Sequence, residues 1–334
     1  MHQLKILRGG QLSSIQDAGR PGFQALGVTP GGALDTVALR VGNWLVGNAE
    51  HQAAIEITWA GPRIGCTEDT LIAATGAAAE LSCAGVPVPG WRPVWIRKGG
   101  VLEIGQVTEG ARLYLCVQGG IDTPAVLGGL GTDLRNRFGG HAGRALIRGD
   151  VLALGAQQEP YPRLHARLTD PHGDFAAPPW QVSMWRDSGV PNAAPLKLLT
   201  GPHQSRLGPK DLAALHGASF RVLPQSDRQA LRLQGPALTL GSCRYPSAGV
   251  CRGVMQLPPD GNPILLLADH QTTGGYPVIG VTAGVEGRRL AQLRPGDAVR
   301  FVPCGLAEAQ QLLRERERRL LIIKHELAWR AAQG

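Results

Sequence analysis

Residues Val254–Gly275 read VMQLPPDGNPILLLADHQTTGG, and their pattern decides the fold. A short apolar run ends in Gln256, a Pro/Asp/Gly turn follows, and a longer apolar run reaches Asp269 before a polar tail with two glycines. Short apolar runs bounded by turn formers read as β-strands. Residues Ile104–Gly120, IGQVTEGARLYLCVQGG, repeat the same order of strand, glutamine, turn, longer strand and glycines. Downstream, LIRGDVLALG (146–155) and QLRPGDAVRFVP (292–303) echo each other at nearly the same separation. Two related β modules account for such a repeat.

Working outward, AAIEITWAG, DTLIAATGA, RALIRGDVLAL, SFRVLP and ALRLQG also have strand length and strand composition. Helical spacing occurs in two places. GALDTVALRVGNWLVG sets Ala33, Val37, Val41 and Trp44 on one face. The closing LAEAQQLLRERERRLLIIKHELAWRAA predicts a helix with a charged, solvated face beside an apolar one. The expectation is a mainly β chain with a few helices. It divides into an N-terminal module at 1–156, a proline-rich connector at 157–194, a second β module at 195–305, and a C-terminal helix at 306–334.

With 334 residues, the chain can bury one or two cores without disulfides or metals. Its 46 glycines and 25 prolines follow no period, which points to many turns and away from collagen. The formal charge of +8 comes from scattered arginines and a terminal RERERR run. Without a stacking series of aromatics or a compact basic loop, nucleic-acid binding is not expected. The six cysteines form no CxxC pair, so reduced thiols and a cytoplasmic location are expected. Neither a signal peptide nor a membrane span is expected from the apolar runs.

Several polar clusters admit two readings. QDAGRPG sets Asp17 three residues before Arg20. Either a tight turn offers the guanidinium to a carboxylate or phosphate, or the two residues pair with each other and fix the turn. Asp35 is either a helix cap or a reactive acid, with Asn43 further along the same helix. Glu56 interrupts an apolar strand and faces either water or a buried partner. GTDLRNRFGGHAGR carries Arg135, Arg137, His141 and Arg144 along glycines, as an anion-binding loop or as plain turns. No P-loop or dinucleotide fingerprint is present. His165, His172 and His270 lack metal-ligand spacing, and Ser205, Ser226 and Ser242 lack a nucleophile elbow. In the opening stretch, Asp269 ends a strand and Gln271, Thr272, Gly274, Gly275 and Tyr276 follow. They form either a pocket edge for a small planar carboxylate or amide, with Asp269 as base or orienter, or a decorated turn. His270 points opposite Asp269 if the strand continues.

The segments QDAGRPGFQALGVTPGGALD, GNWLVGN, IEITWAGP, GGIDTPAVLGG, TDLRNRFGGHAGRALIRGD, SDRQALRLQG and LLLADHQTTGGYPVIGVT occur in one order, followed by QLRPGDAVRF. Together they resemble the biotin-dependent carboxyltransferase-like group, which includes allophanate hydrolase subunit 2, KipA-like proteins and the C subunit of 5-oxoprolinase. The likeness covers about residues 6–305. It implies two cyclophilin-like β-barrel modules, in a chain that works with a separately encoded B subunit, or KipI-like protein. The activity implied is ATP-dependent opening of 5-oxo-L-proline to L-glutamate, a hydrolase reaction that also requires the A subunit of 5-oxoprolinase, with Mg2+ accompanying the ATP. Two alternatives come with the same resemblance. One is carboxyl transfer from carboxybiotin to urea or another small amide; the other is a KipA-like binder of a KipI-like partner without turnover. No biotin-accepting MKM segment is present, so a fused urea carboxylase is not expected.

The resemblance carries over catalytic candidates Asp17, Asp35, Asp269 and Gln271. It also carries over substrate- or anion-binding candidates Arg20, Asn43, Glu56, Arg144, Thr272, Gly274, Gly275, Tyr276 and Gln292. Two departures stand out. A typical LGSRSTDLR reads LGGLGTDLR here, with Leu130 and Gly131 in place of an arginine and a serine. A typical SDRMGxRL reads SDRQALRL, with Gln229 and Ala230 at the altered places. The first change removes anion-binding capacity from its loop.

Overall fold

The computed structural model describes residues 2–156, 173–183, 194–241 and 245–333. Most of the expected connector, with His165 and His172, lies outside the described residues, as does Ser242. The chain groups into two compact units that interleave along the sequence. One comprises Met1–Arg20, Asp35–Trp185 and Arg319–Gly334, and the other Pro21–Leu34 and Arg186–Arg318.

The first unit is built on strands β1 (Gln3–Arg8), β2 (Leu12–Gln16), β3 (Ala54–Thr58), β4 (Arg63–Cys66), β5 (Thr70–Cys83) and β6 (Val86–Pro87). It continues with β7 (Val94–Ile96), β8 (Val101–Val117), β9 (Val151–Ala153) and β10 (Phe175–Ala176). Its spine is the antiparallel pair β5–β8, in register from Ile72↔Val117 to Cys83↔Leu102. The turn expected within Ile104–Gly120 is absent, because β8 runs straight through it. Register shifts along Gly76 to Leu81 of β5 absorb the mismatch as bulges, so one long strand replaces the predicted hairpin. Phe175 and Ala176, from the expected connector, pair with Ile96 and Trp95 as β10. Inward-facing Ile6, Ile15, Ile55, Ile57, Ile104 and Leu115 are buried in the core, each contributing about 2 kcal/mol on removal from water.

Helix α1 (Thr36–Leu45) follows the predicted spacing, and Val37, Val41 and Trp44 are buried. Asp35 caps it, accepting a hydrogen bond from the Ala38 amide at 2.9 Å. The Thr75 hydroxyl of β5 reaches the Ala38 carbonyl at 2.8 Å and fixes the helix to the sheet. RALIRGDVLAL is strand only at β9. Its first half is pulled into a turn by Asp150, which accepts from the Ile147 amide at 2.9 Å and from both terminal nitrogens of Arg144 at 2.8 and 2.7 Å.

The second unit holds β11 (Leu196–Thr200), α2 (Pro209–Gly217), β12 (Phe220–Val222), β13 (Ala230–Gln234), β14 (Ala248–Gly249) and β15 (Val254–Gln256). It continues with β16 (Ile264–Leu266), β17 (Thr273–Gly274), β18 (Val278–Thr282), α3 (Gly287–Ala291), β19 (Ala298–Val299) and β20 (Phe301–Pro303). Here the predicted hairpin forms: β15 and β16 pair with Met255↔Leu265 and Gln256↔Ile264. Eight strands form the sheet β19-β12-β13-β16-β15-β18-β11-β20. Its two outer strands are consecutive in the chain, separated by Arg300 alone, so the sheet closes on itself. Phe220 and Phe301, one from each side of that seam, meet inside with ring centroids 5.9 Å apart. The fold is thus mainly β, two cyclophilin-like barrel modules with a few helices and a C-terminal helix.

That last helix, α4 (Leu306–Gln333), buries Ala309, Leu320, Leu327 and Ala331 along one face. Its apolar residues are not confined to that face, since Ile322 and Trp329 are exposed on the opposite side and Leu321 on the flank.

Two tests follow from the turns of the first unit. Gly140 has φ +52°, and a Cβ there would sit 1.9 Å from the Thr132 hydroxyl. Gly149 has φ +97° and open space around it. Gly140→Ala therefore costs about 3 kcal/mol in a denaturant titration and Gly149→Ala only about 1. The Arg144 contact, ahead of the opposing effect of burial, lowers the Asp150 carboxyl to about 2. A depressed acid stabilises above its unfolded value and loses that contribution as pH falls toward its folded one. Arg144→Met therefore raises the Asp150 titration toward an ordinary carboxyl value by NMR. It also flattens the pH dependence of stability between about pH 4 and pH 2.

Candidate functional site

In the first unit, the candidate residues separate into distinct small assemblies. Asp17 is buried and accepts from the Gly19 amide at 2.8 Å and from the Leu130 amide at 2.6 Å. Arg20, also buried, donates to the Gly131 carbonyl and stacks its guanidinium 4.7 Å from the Phe138 ring centre. Of the two readings for this turn, the Asp17–Arg20 pair is not made: each residue holds the 129–131 loop by its backbone instead. The loop that lacks the family's arginine and serine is thus tied down by main-chain contacts. Of the Arg20 nitrogens, Nε is buried without a partner.

Asp35 and Glu56 meet through a residue that sequence reasoning passed over. Tyr114 of β8 donates its hydroxyl to Glu56 at 2.6 Å and accepts from the Asp35 amide at 2.7 Å. Burial, then the neighbouring charges of Glu56 and Asp35, hold this hydroxyl well above the usual phenol range. Of the two readings for Glu56, the buried partner is the one realised. Asp35 is the helix cap, fully buried. Asn43 joins the end of α1 to the following loop, donating to the Gln52 carbonyl at 2.9 Å and accepting from Asn48 at 3.0 Å. Arg144 is committed to Asp150, with His141 3.3 Å from the same carboxylate.

In the second unit, the strand expected to reach Asp269 ends at Leu266. Asp269 therefore sits in the following turn, buried, in a two-point ion pair with Arg228 at 2.8 and 3.1 Å. Arg228 also donates to the Gly32 carbonyl at 2.6 Å. With its charge answered on both oxygens, Asp269 suits an orienting role better than that of a free base. Because the strand has already ended, the expected alternation fails, and His270 is buried beside Asp269. Burial lowers the His270 pKa, against a contact with the Gln271 carbonyl.

The tail after Asp269 is a narrow ribbon in which β17 pairs with β14, Ala248↔Gly274 and Gly249↔Thr273. The Thr272 carbonyl accepts from the Val250 amide at 3.0 Å. Gln271 is exposed and donates to Oε1 of the buried Gln256 at 3.2 Å. Gly275 lies beside the Ser247 hydroxyl, and Tyr276 is about half exposed. Gln292 closes α3, its amide donating to the Arg289 carbonyl at 3.1 Å. The second unit thus brings Gln271, Thr272, Gly274, Gly275 and Tyr276 onto one ribbon. Arg228 and Gln256, which sequence reasoning left out, hold its leading end, through Asp269 and Gln271. Arg228 lies in the SDRQALRL motif and was readable as a buried cation in need of an acid; Gln256 left no signal beyond ending its strand.

Among the described residues, no group of three His, Cys, Asp or Glu gathers as metal ligands, and no helix is long and apolar enough to cross a membrane. The five described cysteines are free thiols, and burial pushes Cys66 up to about 11.

Comparison with known proteins agrees with this architecture. The family model for the carboxyltransferase domain, subdomain A and B, matches residues 26–303. The chain is 34% identical to the C subunit of 5-oxoprolinase from Escherichia coli, over 98% of both chains. It is 30% identical to the urea amidolyase of Saccharomyces cerevisiae, covering 92% of this chain but 17% of that one. The crystal structure of Kluyveromyces lactis urea carboxylase superposes with a TM-score of 0.83 at 27% identity, over 96% of this chain and 29% of that one. The chain belongs to the carboxyltransferase-domain family that includes the C subunit of 5-oxoprolinase.

Proposed function

We propose that this chain is one component of an ATP-dependent 5-oxoprolinase, which opens 5-oxo-L-proline to L-glutamate. Its partners in this reading are the B subunit, or KipI-like protein, and the A subunit of that enzyme. The observation that carries this reading is the likeness itself: 34% identity to a 5-oxoprolinase C subunit over 98% of this chain, against 30% to a urea amidolyase over 92%.

The chemistry agrees with divided labour. Lactam opening needs the carbonyl oxygen converted to a leaving group, and transfer of the ATP γ-phosphoryl to that oxygen does so. Water then adds at the carbon, the ring nitrogen takes up a proton and leaves as the amine, and a second water hydrolyses the resulting acyl phosphate to glutamate and phosphate. Such a reaction needs cations for the phosphates. Arg144 and Arg228 are spent on Asp150 and Asp269, and Arg20 on a backbone carbonyl. In this reading the partner proteins supply the ATP and Mg2+ contacts, while this chain orients the lactam with the ribbon that follows Asp269. The candidates of the first unit then serve to hold its loops.

A second reading, carboxyl transfer from carboxybiotin to urea or another small amide, draws support from the urea carboxylase superposition. One reconstitution separates the two. The purified complex of this chain with the A and B subunits releases glutamate from 5-oxo-L-proline only when ATP is present. Carboxylation of urea by a biotinylated carrier, with no glutamate formed, rejects the first reading for the second. Tight binding of the KipI-like protein without turnover of either substrate rejects both and leaves the KipA-like role.

The orienting role of Asp269 has its own check. Asp269→Asn in the complex lowers thermal stability and turnover together, with a stability loss of about 3 kcal/mol from breaking a buried pair. Loss of turnover at unchanged stability would instead make Asp269 a base.

A further inference from the structure

Gln256 is almost entirely buried, yet its amide nitrogen has no hydrogen-bond partner. It ends β15 where the pairing with β18 shifts register, between Met255↔Gly280 and Gln256↔Val278. Such a bulge turns a side chain away from the regular alternation of a strand. The nitrogen fits against Gly274, where a Cβ would come within 2.4 Å of it. Only glycine at 274 leaves room for this carboxamide. Two buried N–H donors without acceptors are unfavourable, and a methionine or leucine of similar size would avoid that penalty. A role confined to packing does not explain a glutamine there.

What Gln256 does hold is Gln271. Its Oε1 accepts from the Gln271 amide at 3.2 Å, across the edge of the ribbon. One N–H of Gln271 is thereby engaged, which leaves this exposed residue a carbonyl oxygen and a second N–H for a ligand. A carboxamide held this way offers an acceptor and a donor side by side. The amide of a lactam is cis, so it too presents N–H and C=O along one edge. The two edges are complementary through a pair of parallel hydrogen bonds. A trans peptide, whose N–H and C=O point in opposite directions, does not fit.

We infer that Gln256 is a positioning residue for Gln271, whose free amide edge binds the cis-amide of the small substrate. The inference rests on the lactam reading above for the identity of that substrate. The clamp itself requires only a cis-amide edge, which urea also carries.

The test uses the complex with its partner proteins and the variants Gln256→Met, Gln271→Met and their double. Binding is measured by calorimetry with 5-oxo-L-proline, its N-methyl derivative and urea, and kinetics by glutamate release. The wild type binds 5-oxo-L-proline about tenfold more tightly than the N-methyl compound, which lacks the N–H, and each single variant loses that preference. KM rises about tenfold with kcat within about twofold. The double variant is no worse than either single one, because the two residues act as a unit. The melting temperature of Gln256→Met is equal to or above that of the wild type. Unchanged binding in Gln271→Met, an exposed position, overturns the proposal even if Gln256→Met fails to fold. So do additive losses, or a parallel fall in stability and activity in Gln256→Met. Urea bound with the same Gln271 dependence, but no glutamate formed, rejects the oxoprolinase reading and keeps the clamp. No binding of any of the three compounds overturns the clamp.

Discussion

A charged side chain leaves water only when another group answers its charge, and this constraint sorts the polar residues of the molecule. Asp269 is buried in two-point contact with Arg228. That pair anchors the turn after β16 and so sets where the ribbon of Thr272 to Tyr276 begins. Glu56 obeys the same rule through the Tyr114 hydroxyl, Asp35 through the Ala38 amide, and Asp150 through Arg144 and the Ile147 amide. Acids that look reactive in the sequence are therefore, in several cases, the groups that hold loops and helix ends in place. Of the candidate residues, the exposed ones are the uncharged Gln271, Gly275 and Tyr276 of the ribbon.

Much of the architecture was legible in the chain itself. The β15–β16 hairpin was readable because Pro258–Gly261 separates two apolar runs with residues that can only turn. Helix α1 was readable because Asp35 caps it and Val37, Val41 and Trp44 recur on one face. Helix α2 was not, because its nine residues bury Leu215 alone and so carry no periodic signal. The echo between the two modules overreached at β8. There the Glu109–Gly110 pair looks like a turn but sits in a bulged strand paired on both edges.

The candidate site was legible by residue type but not by partnership. Asp269, Gln271 and Thr272 stand together in the sequence, whereas what each one does depends on groups brought in from elsewhere. Arg228 lies 41 residues from Asp269, Gln256 lies 15 from Gln271, and Tyr114 lies 58 from Glu56. Periodicity reports which face of an element is apolar; it carries no information on which distant donor meets a given acceptor. The Asp17–Arg20 spacing misled for the same reason. Two opposite charges three residues apart are easily paired on paper, yet the Leu130 amide meets Asp17 and the Gly131 carbonyl meets Arg20 instead.

The closed sheet of the second unit has a bearing on how the chain acquires its structure. Its seam joins β11 and β12 to a segment 105 and 79 residues further on, since Leu196 pairs with Phe301 and Phe220 with Val299. Contacts so distant along the chain must meet the entropy of closing a long loop before they return any stabilisation, which slows folding. On the ribosome, the strands from β11 to β18 emerge with both outer edges unpaired until Phe301–Pro303 is made. An unpaired strand edge is a template for another chain. The last few strand residues of this module thus act as its fastener, and the interval before they arrive is when a nascent copy is most exposed to its neighbours.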